Sequence, residues 1–115
     1  MQQQDRRKKT RTNSLNLLSF YCLDESNEIV MQGVGRTLNI SEDGILLETH
    51  EPIDPRHSVS LFIAIEEDLV DVKGKVVHSS ANDNGKFNTG ILFVEPNETT
   101  RHIIGKSIDA FQRGQ

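Results

Sequence analysis

Short runs of apolar residues, each ended by residues that favour turns, follow one another through most of this chain. Several runs alternate apolar with polar residues, which is the period of a half-buried strand. The clearest is Leu69–His78, where Val70, Val72 and Val76 share one parity. The predicted strands are Leu15–Leu23, Ile29–Leu38, Ile45–Thr49, Val59–Ile65, Leu69–His78 and Phe87–Val94. Six short strands at even spacing predict a small antiparallel barrel or a sandwich.

Glycines mark two features within this pattern. Gly33 and Gly35 lie inside the second predicted strand and suggest a bulge or a tight bend there. Asn84-Gly85 is a strong signal for the turn of a hairpin between the last two strands.

One helix is predicted to close the chain. Pro96 stops the preceding strand, and the Asn97 side chain can accept a hydrogen bond from a free amide of the first helical turn. Apolar residues then recur at helical spacing, namely Ile103, Ile104, Ile108 and Phe111. This apolar face should cover an end of the barrel, and Gly114 can end the helix.

Length, composition and the single cysteine limit what the chain can be. Its 115 residues, 35% hydrophobic and 26% charged, fit one soluble domain. No run approaches the roughly 20 apolar residues of a spanning helix, so direct membrane insertion is not expected. Cys22 alone excludes an internal disulfide and a multi-thiolate metal site. We interpret it as a small apolar strand residue, and an unpaired thiol favours a cytoplasmic location.

Charge is divided unevenly along the chain. Residues 1–11 carry a balance of +4, whereas the other 104 residues hold eight basic and sixteen acidic side chains, a balance of −8. We predict a flexible basic arm over residues 1–13, followed by a single domain over residues 14–115. The acidic body would repel a long nucleic acid, but the arm could hold a compact anion with few phosphates. A solvated tail that aids solubility is the alternative.

Enzymatic motifs are sparse. The four histidines stand apart, without the spacing of a metal site, and no nucleophile elbow or Walker loop is present. Gly33-Val34-Gly35 lacks the third glycine of a dinucleotide fingerprint. We therefore expect neither an enzyme, nor a metal site, nor a bound cofactor.

Two polar motifs stand out against this background. In the arm, Arg7 and Arg11 form R-x-x-x-R, and arginine's planar fork can make paired hydrogen bonds to a phosphate or to a guanine edge. Between the second and third predicted strands, Asn39, Ser41 and Gly44 form N-x-S-x-x-G, which combines two short polar groups with a residue that permits close approach to the backbone. Taken singly, the second motif could be an ordinary Asx turn.

In this order, the two motifs resemble those of the PilZ domain family. R-x-x-x-R is followed by 27 residues and then by N-x-S-x-x-G, in a chain of six strands with a closing helix. Thr89-Gly90-Ile91-Leu92-Phe93 is similar to the last strand of that family. The resemblance covers residues 5 to 112.

The resemblance implies an all-β fold, a six-stranded antiparallel PilZ-type barrel with one C-terminal α-helix, that binds the bacterial second messenger cyclic di-GMP. It implies that Arg7 and Arg11 grip the phosphates and the Hoogsteen edge of a guanine. Asn39 and Ser41 would then bond the other polar groups of the guanine, and Gly44 would shape the turn. Asn39 stands where many members have Asp, and its neutral oxygen is the weaker acceptor, which bears on affinity more than on function.

Arg6, directly before the pair, offers a further contact. The resemblance implies that this arrangement suits a self-intercalated ligand dimer, so two ligands per chain are expected. The arm is expected to become ordered over the ligand and so to present a new surface to an unidentified downstream protein. His78, at the end of its predicted strand, is interpreted as a solvated side chain in preference to one that stacks on a purine.

Two other functions compete with this hypothesis. One is a degenerate PilZ adaptor that binds a protein partner without nucleotide, against which the intact arginine, Asn, Ser and Gly positions count. The other is a small barrel for single-stranded nucleic acid, which would need exposed aromatic residues on a basic face. The sequence leaves the downstream process and the oligomeric state open.

Overall fold

The computed structural model describes residues 17–65 and 67–113 of the chain. Its elements are β1 (Leu17–Leu23), β2 (Ile29–Ile40), β3 (Gly44–Thr49), β4 (Ser58–Ile65), β5 (Asp68–Ala81), β6 (Phe87–Phe93) and α1 (Glu98–Arg113). The strands close into a barrel in the order β1-β2-β3-β6-β5-β4, and every neighbouring pair is antiparallel. The predicted barrel and C-terminal helix are confirmed, and the sandwich is excluded.

The barrel interior is filled by aliphatic side chains that alternate with outward-facing ones along each strand. The largest fully buried aliphatic residues are Leu47, Ile53, Val59, Leu61, Val72, Val76, Ile91 and Ile104. Cys22 belongs to the same core, and its burial raises the pKa of the thiol to about 11. The expectation that Cys22 is a small apolar strand residue is confirmed.

The irregularities in β2 lie at Val30, where its register with β1 shifts, and at Leu38, and not at the two glycines. Gly33 and Gly35 pair in regular register with Phe20 and Leu18, so the predicted bulge at these positions is wrong. The lack of a side chain instead serves packing at Gly35, where a β-carbon would lie only 3.2 Å from Leu47 Cδ1. The β2–β3 register shifts between Thr37 and Asn39, which leaves Leu38 as the extra residue of a bulge.

Another bulge lies in β5, which runs three residues beyond the predicted end at His78. The β5–β6 register shifts between Val76 and His78, which leaves Val77 without a partner. Val76 faces the core, Val77 and His78 are exposed, and Ser79 turns inward, where its hydroxyl lies 2.8 Å from Thr89 Oγ1. His78 is therefore not the strand-end residue that the sequence suggested.

The predicted hairpin turn between β5 and β6 is confirmed. Gly85 has a φ of 75°, a backbone conformation that glycine adopts without strain. Asn82 holds the turn, since its Oδ1 accepts hydrogen bonds from the backbone amides of Asn84 at 2.8 Å and Lys86 at 3.1 Å.

Helix α1 begins where the sequence predicts and packs across one mouth of the barrel. Asn97 Oδ1 accepts a hydrogen bond from the amide of Thr100 at 2.8 Å, as expected of an N-cap. Ile103 and Ile104 are buried in the core cluster, with Ile108 and Phe111 packed against it. Gly114, the predicted end of the helix, lies outside the described residues. Within residues 17–65 and 67–113, no helix has the length and apolar character needed to cross a bilayer.

The N-cap of α1 provides a test of this packing. Asn97→Ala removes the acceptor of the Thr100 amide, so the free energy of unfolding should fall by about 1 kcal/mol in urea denaturation. Asn97→Asp keeps an acceptor at the same position and should unfold close to the wild type. Equal losses in the two variants would show that the side-chain acceptor does not stabilise the helix.

Candidate ligand-binding surface

Four residues from four different strands form one row on the outside of the barrel. Asn39 of β2 pairs with Leu46 of β3, Leu46 pairs with Gly90 of β6, and Gly90 pairs with His78 of β5. Strand spacing of about 4.8 Å puts the two ends of the row some 14 Å apart along the sheet. The row lines a shallow depression together with the loop between β2 and β3.

Asn39 and His78, at the two ends of this row, face outward because of the bulges in β2 and β5. Thr37 and Val76 are buried, so a strand of strict period two would also turn Asn39 and His78 into the core. Because Leu38 and Val77 are extra residues, the parity reverses, and Asn39 and His78 are exposed. The two bulges thus deliver polar groups to one surface from strands on either side of the β3–β6 pair.

The loop between β2 and β3 is organised by Ser41. Its backbone amide donates to the carbonyl of Gly44 at 2.9 Å, and its Oγ accepts from the amides of Asp43 and Gly44, both at 3.3 Å. The hydroxyl bonds are long for N–H···O contacts, so a ligand group could share them. The sequence predicts that Asn39 lies in this loop, but in the structure it is the penultimate residue of β2.

Asn39 retains hydrogen-bonding capacity on the exposed side of its strand. Its Oδ1 accepts the amide of Ile40 at 2.9 Å, which occupies one of the two lone pairs of a carbonyl oxygen. No acceptor among the described residues bonds its Nδ2. One acceptor site and two donor hydrogens of Asn39 are therefore open to a ligand.

Gly44 is required by close packing, because a β-carbon at this position would collide with the carbonyl oxygen of Ile91. The absence of a side chain thus lets β3 approach β6 at the edge of the depression. Gly44 pairs with Leu92, and Leu92 pairs with Lys75 in the next row. Lys75 is exposed and has no ion-pair partner within the described residues.

On its other side the surface is bordered by a hydrogen-bond network around Glu48. Arg36 donates to Glu48 Oε1 through Nε at 3.2 Å and through Nη2 at 3.1 Å. Asn82 and Asn84 donate to Glu48 Oε2 at 3.0 and 3.1 Å, and Asn82 also donates to Asn88 at 2.9 Å. These bonds, that of Asn84 foremost, lower the pKa of Glu48 below its ordinary 4.5, against an opposing effect of desolvation. The network joins β2, β3 and the β5–β6 turn.

Comparison with known proteins identifies the family. The family model of the PilZ domain matches residues 5–110. The chain belongs to the PilZ domain family. Among solved structures, the PilZ domain of CeSA from a cellulose-synthesizing bacterium has a similar fold, with a TM-score of 0.57 at 10% sequence identity, over 84% of this chain and 93% of that one. No curated protein matches this chain.

PilZ domains are receptors for cyclic di-GMP that act as binding or adaptor modules, so a general role in binding this messenger follows from the family. Of the predicted ligand-binding residues, Asn39, Ser41 and Gly44 lie together at one edge of the depression. The others, Arg6, Arg7 and Arg11, lie outside the described residues, although the match to the family model includes them.

Sequence reasoning did not place Leu46, Gly90 and His78 in the site of this PilZ domain. In the sequence, Gly90 stands out only as part of a strand similar to the last strand of the family. Its pairing with His78 depends on the bulge at Val77, and the pairing of Leu46 with Asn39 depends on the bulge at Leu38. No glycine or proline marks either bulge in the sequence. Leucine and valine are common in regular strands, so Leu38 and Val77 give no local signal.

The close approach at Gly44 predicts a loss of stability on substitution. Gly44→Ala should lower the free energy of unfolding by about 1–3 kcal/mol, because the new methyl group must displace the backbone of β6. Gly105→Ala is the control, since a β-carbon there meets nothing within 4 Å in helix α1 and alanine favours helix. Urea denaturation measures both, and equal stability of wild type and Gly44→Ala would contradict the proposed packing.

The Glu48 network predicts a specific loss of stability in acid. A carboxyl group with a lowered pKa in the folded protein stabilises it above the unfolded pKa, and this contribution is lost as pH falls through the folded pKa. Between about pH 5 and pH 2, the stability of wild type should therefore fall more steeply than that of Glu48→Gln. Chemical denaturation across this range measures the difference, with Glu28→Gln as a charge-matched control on an exposed residue. Parallel curves for wild type and Glu48→Gln would refute the prediction.

Proposed function

We propose that this PilZ domain binds cyclic di-GMP between its basic arm of residues 1–13, called the leader from here on, and the surface around Asn39. We also propose that a protein partner recognises the bound state. Family membership supports the ligand. The observation that carries the geometry of the proposal is the register of β1 and β2, in which Leu17 pairs with Arg36. The leader therefore joins the barrel on the strand next to Asn39.

Chain reach supports this arrangement. Asn39 lies three residues beyond Arg36 on β2, about 10 Å along the strand. Arg11 precedes Leu17 by six residues, and a chain of six residues spans up to about 20 Å. Arg7 has four further residues of reach. Both arginines can therefore meet a ligand held at the depression without any change in the barrel.

Charge supports a division of labour between leader and barrel. The exposed carboxylates Glu42 and Asp43 lie in the loop beside the depression, and Lys75 is an exposed cation in the neighbouring row. Such a surface attracts a doubly charged anion weakly, so the phosphates depend on Arg6, Arg7 and Arg11 of the leader.

The proposed roles follow from hydrogen-bonding chemistry. Arg7 and Arg11 make forked contacts to phosphate oxygens and to O6 and N7 of a guanine. Asn39 offers its open acceptor site to the Watson–Crick edge of the base, and Ser41 fixes the loop and shares its hydroxyl. Each good paired contact contributes ~1–3 kcal/mol of discrimination, so two of them with the loop contacts are consistent with micromolar affinity, about −8 kcal/mol. Arg6 favours a second ligand molecule in the same site.

Signalling follows from closing the leader over the ligand. A segment rich in charged residues has little apolar surface of its own to bury, so the ligand supplies the contacts that hold it. The closed leader and the ligand form a surface that the free protein lacks, which a downstream protein in the bacterial cytoplasm can read.

The aromatic residues count against the nucleic-acid alternative. Non-specific binding of single strands needs exposed aromatic rings on a basic groove. The five phenylalanines and Tyr21 all fall within the described residues, and each is buried or half-buried. An adaptor that acts without nucleotide has no observation in its favour.

Calorimetric titration of cyclic di-GMP into the full chain tests the proposal. The wild type should bind, and Arg7→Ala and Arg11→Ala should each weaken binding by about tenfold or more, since each removes a forked contact. Arg113→Ala, an exposed arginine near the end of α1, is the matched control and should bind as the wild type does. A wild type that does not bind would refute the ligand, and unchanged binding by both leader variants would refute the role of the leader.

A further inference from the structure

We propose that His78 is a base-stacking residue of this site, on which a purine ring of the ligand packs. Gly90 positions the imidazole, because its lack of a side chain leaves the space in which the ring lies against β6. The inference rests on the proposed binding of cyclic di-GMP and goes beyond the two motifs that suggested it. It adds a specificity-determining residue on β5, at the far end of the row that begins with Asn39.

The imidazole of His78 lies directly over the backbone of β6. A β-carbon at Gly90 would lie 2.5 Å from His78 Cε1, 2.8 Å from Nδ1 and 3.2 Å from Nε2, so any side chain at Gly90 would displace the ring. Gly90 is itself buried, whereas His78 is exposed. The ring is thus held against bare backbone on one side while the residue stays open to solvent.

No polar interaction accounts for this arrangement. Within residues 17–65 and 67–113, the side chain of His78 makes no hydrogen bond and no ion pair. The bulge at Val77 keeps it out of the core, where a residue of the parity of Val76 would otherwise lie. No hydrogen bond or ion pair among the described residues therefore requires a histidine at this position.

The surroundings of His78 suit the face of a heterocyclic base. Val77 and Leu92 border the same depression, and 48% and 47% of their surfaces are exposed. An aromatic ring with apolar neighbours favours stacking of a planar base, and Asn39 at the other end of the row offers hydrogen bonds to a base edge. Hydrogen bonding and stacking thus act on the ligand from opposite ends of one row.

The test compares variants of His78 by calorimetric titration with cyclic di-GMP. His78→Ala should weaken binding by about tenfold, as expected for the loss of one stacked base. His78→Phe keeps an aromatic ring and should restore binding to within about threefold of the wild type. His50→Ala, an exposed histidine after β3 and outside the depression, is the control and should not change binding. Thermal unfolding of each variant checks that the fold is retained.

A double-mutant cycle tests whether Gly90 affects binding through the position of the His78 ring or through a general effect on folding. Gly90→Ala should weaken binding in the wild-type background, because its methyl group displaces the ring, but should add little in the His78→Ala background. Additive losses of affinity would show that Gly90 does not act through His78 and would refute its role in positioning the ring.

The outcomes for the ligand and for His78 are distinguishable. If the wild type binds and His78→Ala binds equally well, the stacking role is wrong while the proposed function stands. If His78→Phe binds as poorly as His78→Ala, the ring is not the relevant feature, and stacking is again refuted. A wild type that fails to bind refutes the proposed function and this inference with it.

Discussion

The period of two in a β-strand is the constraint on which this molecule depends. A closed barrel of six strands fixes which side chains fill the interior, and each strand then has no freedom over which side chains face outward. Single extra residues at Leu38 and Val77 reverse the parity of β2 and β5 part-way along. The core is kept continuous on both sides of each bulge, and Asn39 and His78 are turned to the outside. The surface for a ligand is therefore made by two breaks in the regular pattern, on the two strands that flank the β3–β6 pair.

The barrel and the leader contribute different physics to the proposed site. The barrel contributes a surface of backbone, short polar groups and apolar side chains, which the hydrogen bonds of the Ser41 loop and of the Glu48 network stabilise. The leader carries the positive charge that this surface lacks. A small ligand with two phosphates and two bases can satisfy both parts at once, whereas a long polyanion would extend over a body with a balance of −8. This proposed division of roles reconciles an acidic barrel with an anionic ligand.

Much of the fold could be predicted from the sequence, because strand period, turn residues and helix caps are local signals. The helix cap at Asn97 and the turn at Asn84-Gly85 follow from the hydrogen bonding and φ preferences of single residues. The candidate site could be predicted only in part. The motif indicates Asn39, Ser41 and Gly44 as ligand-binding residues, which stays a prediction, and Asn39 is a strand residue because the bulge at Leu38 lets it pair with Leu46. Gly33 and Gly35 indicate a bulge, because the lack of a side chain permits bending. The same lack of a side chain also permits close packing, and the sequence alone does not distinguish the two. His78 and Gly90 meet only through the pairing of distant strands.

The central claim is that cyclic di-GMP lies between the leader and the row from Asn39 to His78. Backbone amide shifts in ¹H–¹⁵N NMR spectra, recorded as the messenger is titrated into the full chain, test it most directly. The account predicts the largest changes at the arginines of the leader, in the Ser41–Gly44 loop and at Gly90, with little change at Tyr21 and Phe62 on the opposite strands β1 and β4. Changes centred on β1 and β4, or confined to the leader with the row unaffected, would contradict it.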